Sequence, residues 1–251
     1  MNDAVISGIN EILSVLWNAD PSIYLYGSVT DNDFRIGWSD IDFICLTKAP
    51  LEDVQAEKLL TLREHQPDNP YFRLFEGVFI SQGGFFEHRK EKVVYWGTGK
   101  SKIIDSFTPD CFCRYQLAEN AILLFGDDLR DFFEVPKFSE LRQGVAAHLE
   151  TIRKHAVTTG RSIYSYGWLL DIARGLYVLK NGVVVSKTAA GEWALENGLC
   201  PDMQALATAV SIRNNPKLFN DNPVLQDYSE RLGDSVQLFA DVLEDKLTEF
   251  D

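Results

Sequence analysis

The sequence lacks any hydrophobic run approaching the roughly 18 residues of a membrane span. Its longest apolar stretches, such as Ala121 to Phe125, are far shorter. No basic start followed by an apolar block is present either, so no signal peptide is expected and the predicted compartment is the cytoplasm. Cysteine is scarce: Cys45, Cys111, Cys113 and Cys200 form no metal-spaced pair and no disulfide framework, which suits a reducing environment. Positive charge is also short, with 24 Lys and Arg against 37 Asp and Glu and a net charge of −13. Binding along a nucleic-acid backbone rewards clustered Lys and Arg, so nucleic acid is not an expected partner. The acidic balance serves solubility, and it equally suits a cationic small molecule drawn to an acidic cleft. The histidines His65, His88, His148 and His155 show no ligand spacing and complete neither a zinc site nor a nucleophilic triad.

What is present is an ordinary globular composition. With 251 residues, 45% of them apolar, the chain can form one large domain or two small ones. Ile6 to Trp17 has helical spacing, Ser22 to Tyr26 reads as a short strand, Ile41 to Leu46 as a second and Tyr71 to Ile80 as a third. Leu51 to Arg63 reads as an amphipathic helix between the last two. From Phe138 onward only helices are expected. One carries Leu141, Val145, Leu149, Ile152 and Ala156 on a single face, and Trp168 to Leu179 ends at Asn181-Gly182. Ser186 caps the next, Asp202 to Arg213 follows, and a last helix spans Val224 to Phe250. The pattern turns wholly helical near Val135-Pro136. The expected fold is therefore a mixed-sheet α+β or α/β domain over 1–135 followed by an all-α helical bundle over 136–251.

The stretch richest in chemistry is Leu25-Tyr26-Gly27-Ser28 with Ser39-Asp40-Ile41-Asp42. Glycine permits close backbone approach and serine offers a hydroxyl; a helix opening there would favour a phosphate. Asp40 and Asp42, two apart at the head of a strand, point to one face. Carboxylates so placed can hold a pair of divalent ions roughly 3.5–4 Å apart, as in-line phosphoryl transfer requires. Their hard oxygens suit Mg²⁺, which takes its remaining ligands from water and substrate phosphates. A D-x-D alone is commonly a solvated strand end; the upstream turn and flanking strands make this one more specific. Glu76 is the single charge in the series Phe72, Leu74, Glu76, Val78, Ile80. An isolated carboxylate on an apolar face needs a metal, a proton to abstract, or an arginine such as Arg73 or Arg35. Gly99-Lys100-Ser101 matches the end of a P-loop, but Val94 stands where its first glycine belongs, so no such motif is expected.

Gly27-Ser28 with Ser39-Asp40-Ile41-Asp42 resembles the nucleotidyltransferase superfamily of the DNA polymerase β type. Two further blocks narrow the resemblance to the aminoglycoside adenylyltransferases acting on streptomycin and spectinomycin. Ala121-Ile122-Leu123-Leu124-Phe125-Gly126 is similar to that family's domain-closing helix and turn. Asp171-Ile172-Ala173-Arg174, Gly182 and the run Ser186 to Ala194 are similar to its helical C-terminal domain. The resemblance implies an ATP- and Mg²⁺-dependent transfer of AMP to an aminoglycoside hydroxyl. It implies that Gly27, Ser28 and Ser39 lie at the nucleotide, that Asp40 and Asp42 bind Mg²⁺, and that Glu76 is metal ligand or base. Lys187 is implied to reach the ATP phosphates. A lysine in a helix's first turn also opposes the macrodipole by about 0.3–1 kcal/mol, the kind of broken rule found at working sites; a snorkelling surface lysine is the alternative. Trp96 lies near a family tryptophan of the acceptor cleft, as a sugar-packing surface or as an ordinary core or surface aromatic. The acceptor end departs from the family pattern: Arg161 to Trp168 contains no carboxylate, and a family tyrosine of the following helix is absent, with Arg213 nearby instead. A monomer or weak homo-oligomer without membrane or nucleic-acid partners is expected.

Overall fold

The computed structural model describes residues 3–65, 71–97 and 100–250. The chain divides into two compact units, one comprising Met1–Asn32 and Asp40–Val135, the other Asp33–Ser39 and Pro136–Asp251. The helical half thus includes a short excursion, Asp33–Ser39, that lies within the sequence range 1–135. Gly99 of the lysine-containing loop lies outside the described residues.

The first unit contains α1 (Asp3–Leu16), β1 (Ser22–Leu25), β2 (Ile41–Thr47), α2 (Asp53–Glu64), β3 (Phe75–Ser81), α3 (Gln82–Phe86), β4 (Val93–Trp96), β5 (Ser101–Ile104), α4 (Cys111–Asn120) and β6 (Ile122–Phe125). The strands form one mixed sheet in the order β5-β4-β3-β2-β1-β6. Among the described residues β2 and β3 alone run parallel, with α2 as their crossover; the other pairs are antiparallel. Alternation along the two central strands sorts their side chains. On one face Phe43, Phe75, Phe79 and Trp96 join Phe72 in edge-on and tilted aromatic contacts. The other face carries Ile44, Leu46, Val78 and Ile80, packed with Tyr24, Val93 and Leu117. Asp42 and Glu76 lie on this second face, at the end where both strands begin.

Two expectations are corrected in this unit. Within Ala121-Gly126, Ile122–Phe125 is an edge strand paired with β1, not a helix and turn. A short apolar run fits either state, and here Gly126 at φ 89° decides it. A Cβ at Gly126 would stand 2.1 Å from the Pro21 carbonyl oxygen, so only glycine allows the chain to pass. The third strand begins at Phe75 rather than Tyr71, because Phe72–Leu74 forms a single 3₁₀ turn.

The second unit holds α5 (Phe138–His155), α6 (Tyr164–Asn181), α7 (Lys187–Glu196), α8 (Met203–Asn214), α9 (Lys217–Asn220), α10 (Pro223–Ser229) and α11 (Gly233–Thr248). Helix α5 buries Leu141, Val145, Leu149 and Ile152. The central α6 is buried along most of its length and ends at Gly182, left-handed at φ 71°. The single closing helix expected over Val224–Phe250 is instead two helices. The chain turns after Ser229, whose buried hydroxyl donates to the Gln226 carbonyl at 2.6 Å. It then passes so close to Val157 that a Cβ at Gly233 would lie 2.2 Å from that residue's carbonyl oxygen. Among the described residues no helix is long and apolar enough to cross a membrane.

Candidate active site

The site is built where β1 leaves the sheet and β2 enters it. The Tyr26 amide donates to the Asp42 carbonyl at 3.1 Å, carrying the β1–β2 ladder one step beyond the strand. Gly27 then turns left-handed, at φ 72°, and a Cβ there would stand 2.3 Å from Asp42 Oδ2. Glycine is therefore required twice over, by its dihedral and by the carboxylate against it. Ser28 Oγ donates to the Asp40 carbonyl at 3.4 Å. The Gly27 carbonyl accepts from Thr30 and Asp31 amides at 3.1 and 3.0 Å, closing a single 3₁₀ turn over Gly27–Val29. No long helix opens at this turn.

Asp42 and Glu76 are register partners on the parallel strands β2 and β3, and Asp40 lies two residues before Asp42. All three are half-buried. From β4, Tyr95 Oη donates to Glu76 Oε1 at 2.7 Å. Burial, followed by the Glu76 hydrogen bond and the charges of Glu76, Asp42 and Asp40, pushes the Tyr95 phenol above its ordinary value. Burial also raises Tyr26 well above 10, with Cys113 and Asp42 adding to it, and lifts the Cys113 thiol to about 12. Both groups stay protonated beside the carboxylates. Arg63 of α2 supplies an opposite charge. Its guanidinium is buried among the carbonyls of Phe72, Arg73 (3.0 Å) and Gly97 (3.2 Å). Burial lowers its pKa while Glu76 and Asp40 act to raise it.

Among the described residues no three His, Cys, Asp or Glu side chains already form a group that could hold a metal ion. The donor chemistry nonetheless fits Mg²⁺, which takes hard, half-exposed carboxylate oxygens and completes its shell with water and substrate phosphates.

Trp96, offered by sequence as a sugar-packing surface, is fully buried. It packs edge-on against Phe43, Phe72 and Phe79, with Arg63 5.6 Å from its ring centroid. Its position on β4 turns it to the α1–α2 face, opposite to Glu76. Its neighbour Tyr95 is the residue that reaches the carboxylates. Periodicity within β4 could not reveal this, because the contact depends on which strand pairs with β3.

In the second unit Ser39 is buried, and its hydroxyl accepts the Arg35 amide at 3.0 Å. Lys187 opens α7, where Ser186 accepts from the Ala189 amide at 3.2 Å. Its ammonium contacts Asp171 at 3.0 Å, and Asp171 also accepts from Arg174 at 3.2 Å. Burial alone would raise the Asp171 carboxyl; Lys187 and Arg174 outweigh it and hold the group below its ordinary value. Burial likewise lowers Lys187, against the pull of Asp171. A depressed folded pKa stabilises above the unfolded value of about 3.9 and is lost as pH falls through the folded one. Asp171→Asn should therefore lower the melting temperature at neutral pH. Its difference from wild type should narrow below about pH 4, as followed by circular dichroism across a pH series.

A glycine turn lies against one carboxylate of an acid pair carried by the parallel strands β2 and β3 of the mixed sheet. Residues 6–76 match the nucleotidyltransferase domain model. Residues 132–225 match the model of the aminoglycoside adenylyltransferase C-terminal domain. The fold of the chain is similar to that of spectinomycin adenyltransferase AAD(9) from Enterococcus faecialis, solved with ATP and spectinomycin. That likeness has a TM-score of 0.70 over 95% of this chain and 98% of that one, at 17% identity. No curated protein matches the chain in sequence.

Proposed function

We propose that this enzyme transfers AMP from ATP to a hydroxyl of an aminoglycoside of the streptomycin or spectinomycin type, with Mg²⁺, releasing pyrophosphate. The observation that carries the reading is Asp42 and Glu76 side by side on parallel strands, with Gly27 turned tightly against Asp42. Mg²⁺, when bound, neutralises the triphosphate and polarises its phosphorus. Asp40 and Asp42 would hold it, with Glu76 as a further ligand or as the base. Gly27 brings main chain close to the phosphates and Ser28 offers a hydroxyl there. In this reading Lys187 meets the phosphates, while Asp171 keeps its ammonium oriented until then. Ser39 acts by fixing the backbone that leads into Asp40. Glu76 takes the acceptor's proton as the hydroxyl attacks the α-phosphorus. Positioning and fixed charge supply most of the acceleration.

A second reading keeps the nucleotide chemistry and changes the acceptor to another small hydroxyl-bearing compound. The stretch Arg161 to Trp168 supports it, since it lacks carboxylates to grip a cationic sugar and its Arg161 pairs with Asp227 at 2.9 Å. Pyrophosphate release with ATP and Mg²⁺ should be measured across an aminoglycoside panel including streptomycin and spectinomycin. The first reading expects release that depends on one or more of these compounds. Silence across the panel, with ATP binding intact by calorimetry, selects the second; no ATP binding at all defeats both.

A further inference from the structure

Tyr95 pairs in register with Val78, so its side chain shares the sheet face of Glu76, two residues earlier on β3. Its hydroxyl donates to Glu76 Oε1 at 2.7 Å, a well-formed hydrogen bond. The ring itself is held in place. Lys102, its register partner on β5, places an ammonium 5.7 Å from the ring centroid. Gly97 leaves the space the ring occupies, since a Cβ there would stand 2.7 Å from Tyr95 Cε1. The phenol hydroxyl is the donor in this bond and the carboxylate oxygen its acceptor.

A carboxylate has two equivalent oxygens, and a donor held against Oε1 makes them inequivalent. Resting on the adenylyl-transfer reading above, we propose that Tyr95 is the positioning residue for Glu76, holding Oε1 so that Oε2 faces the acceptor hydroxyl. In the step, the acceptor oxygen forms its bond to the α-phosphorus and its proton passes to Glu76 Oε2. The bond from the α-phosphorus to the bridging oxygen breaks, and pyrophosphate leaves with that electron pair. Tyr95 keeps its own proton throughout and touches neither substrate.

Tyr95→Phe retains the ring, its packing and the lysine contact, and removes only the donor. Steady-state kinetics should show kcat reduced roughly 10–100-fold, the worth of one hydrogen bond to a charged group. KM for ATP and for the acceptor should stay within about twofold, because ground-state binding is untouched. The melting temperature should match wild type. In a Glu76→Gln background the same change should add nothing, since Tyr95 acts only through that carboxylate. A Tyr95→Phe enzyme as fast as wild type overturns the positioning role alone. So does one whose KM values and melting temperature shift together with kcat, which would mark a packing residue. Wild-type protein silent on every acceptor overturns this role together with the reading beneath it.

Discussion

Asp42→Asn will leave a folded protein with pyrophosphate release on the order of 10³-fold below wild type. Replacing the carboxylate by an isosteric amide removes one charge from the Mg²⁺ site, a loss of several kcal/mol at the transition state. Each 1.4 kcal/mol is about tenfold in rate. Stability should move the other way. Asp42 is half-buried beside Glu76 and against Gly27, and without a bound cation like charges at such range repel. The amide relieves that repulsion, so the melting temperature of the metal-free protein should be equal to wild type or higher. Activity and thermal unfolding measured on the same preparation test both halves. Undiminished turnover would remove Asp42 from the metal site. A large fall in melting temperature would make it a structural residue instead.

Arg213→Ala will be the most destabilising of the substitutions considered. Arg213 and Asp33 are buried together, 3.1 Å apart, and the Thr188 hydroxyl donates to the same carboxylate at 2.6 Å. The guanidinium also sits 5.3 Å from the Trp38 ring centroid. Removing the cation strands a buried carboxylate, which costs about 3–5 kcal/mol. Arg35 cannot replace it, being 3.7 Å from Asp33 and partly exposed. At roughly 2–4 °C per kcal/mol for a chain of this size, the fall in melting temperature is readily measured by calorimetry. Pairing Arg213→Met with Asp33→Leu should recover much of the loss, because no unpaired charge remains. A single Arg213→Ala protein melting with wild type would show that Asp33 is satisfied without it.

The parts of the fold readable from sequence were those with strong local signals. Helix α5 showed its apolar stripe, α6 its Gly182 stop and α7 its Ser186 cap. The carboxylates stood out because a spacing of two, or a lone charge on an apolar face, is a local pattern. What stayed hidden depends on pairing between distant segments. Strands β4 and β5 are four residues each, too short for a periodicity to declare itself. Helix α4 has weak amphipathicity, so its sequence shows no apolar stripe to announce it. The break between α10 and α11 comes from Gly233 passing the Val157 carbonyl, a contact across 76 positions of chain. Asp33–Ser39 carries no composition that assigns it to the helical unit; Arg213 and Thr188, far along the chain, do so. Nothing within β4 separates Tyr95 from Trp96 as the residue facing the carboxylates, because its two faces are distinguished only by pairing with β3.

The parallel rung joining β2 and β3 has one more consequence. The gap between Asp42 and Glu76 is measured out by main-chain hydrogen bonds, at the roughly 4.8 Å between neighbouring strands. It does not depend on the size or chemistry of any side chain around it. Residues that shape an acceptor pocket can therefore be exchanged, one after another, without disturbing the distance on which phosphoryl chemistry depends. A scaffold of this kind separates what it reacts with from how it reacts, and its substrate range can drift while its reaction holds still.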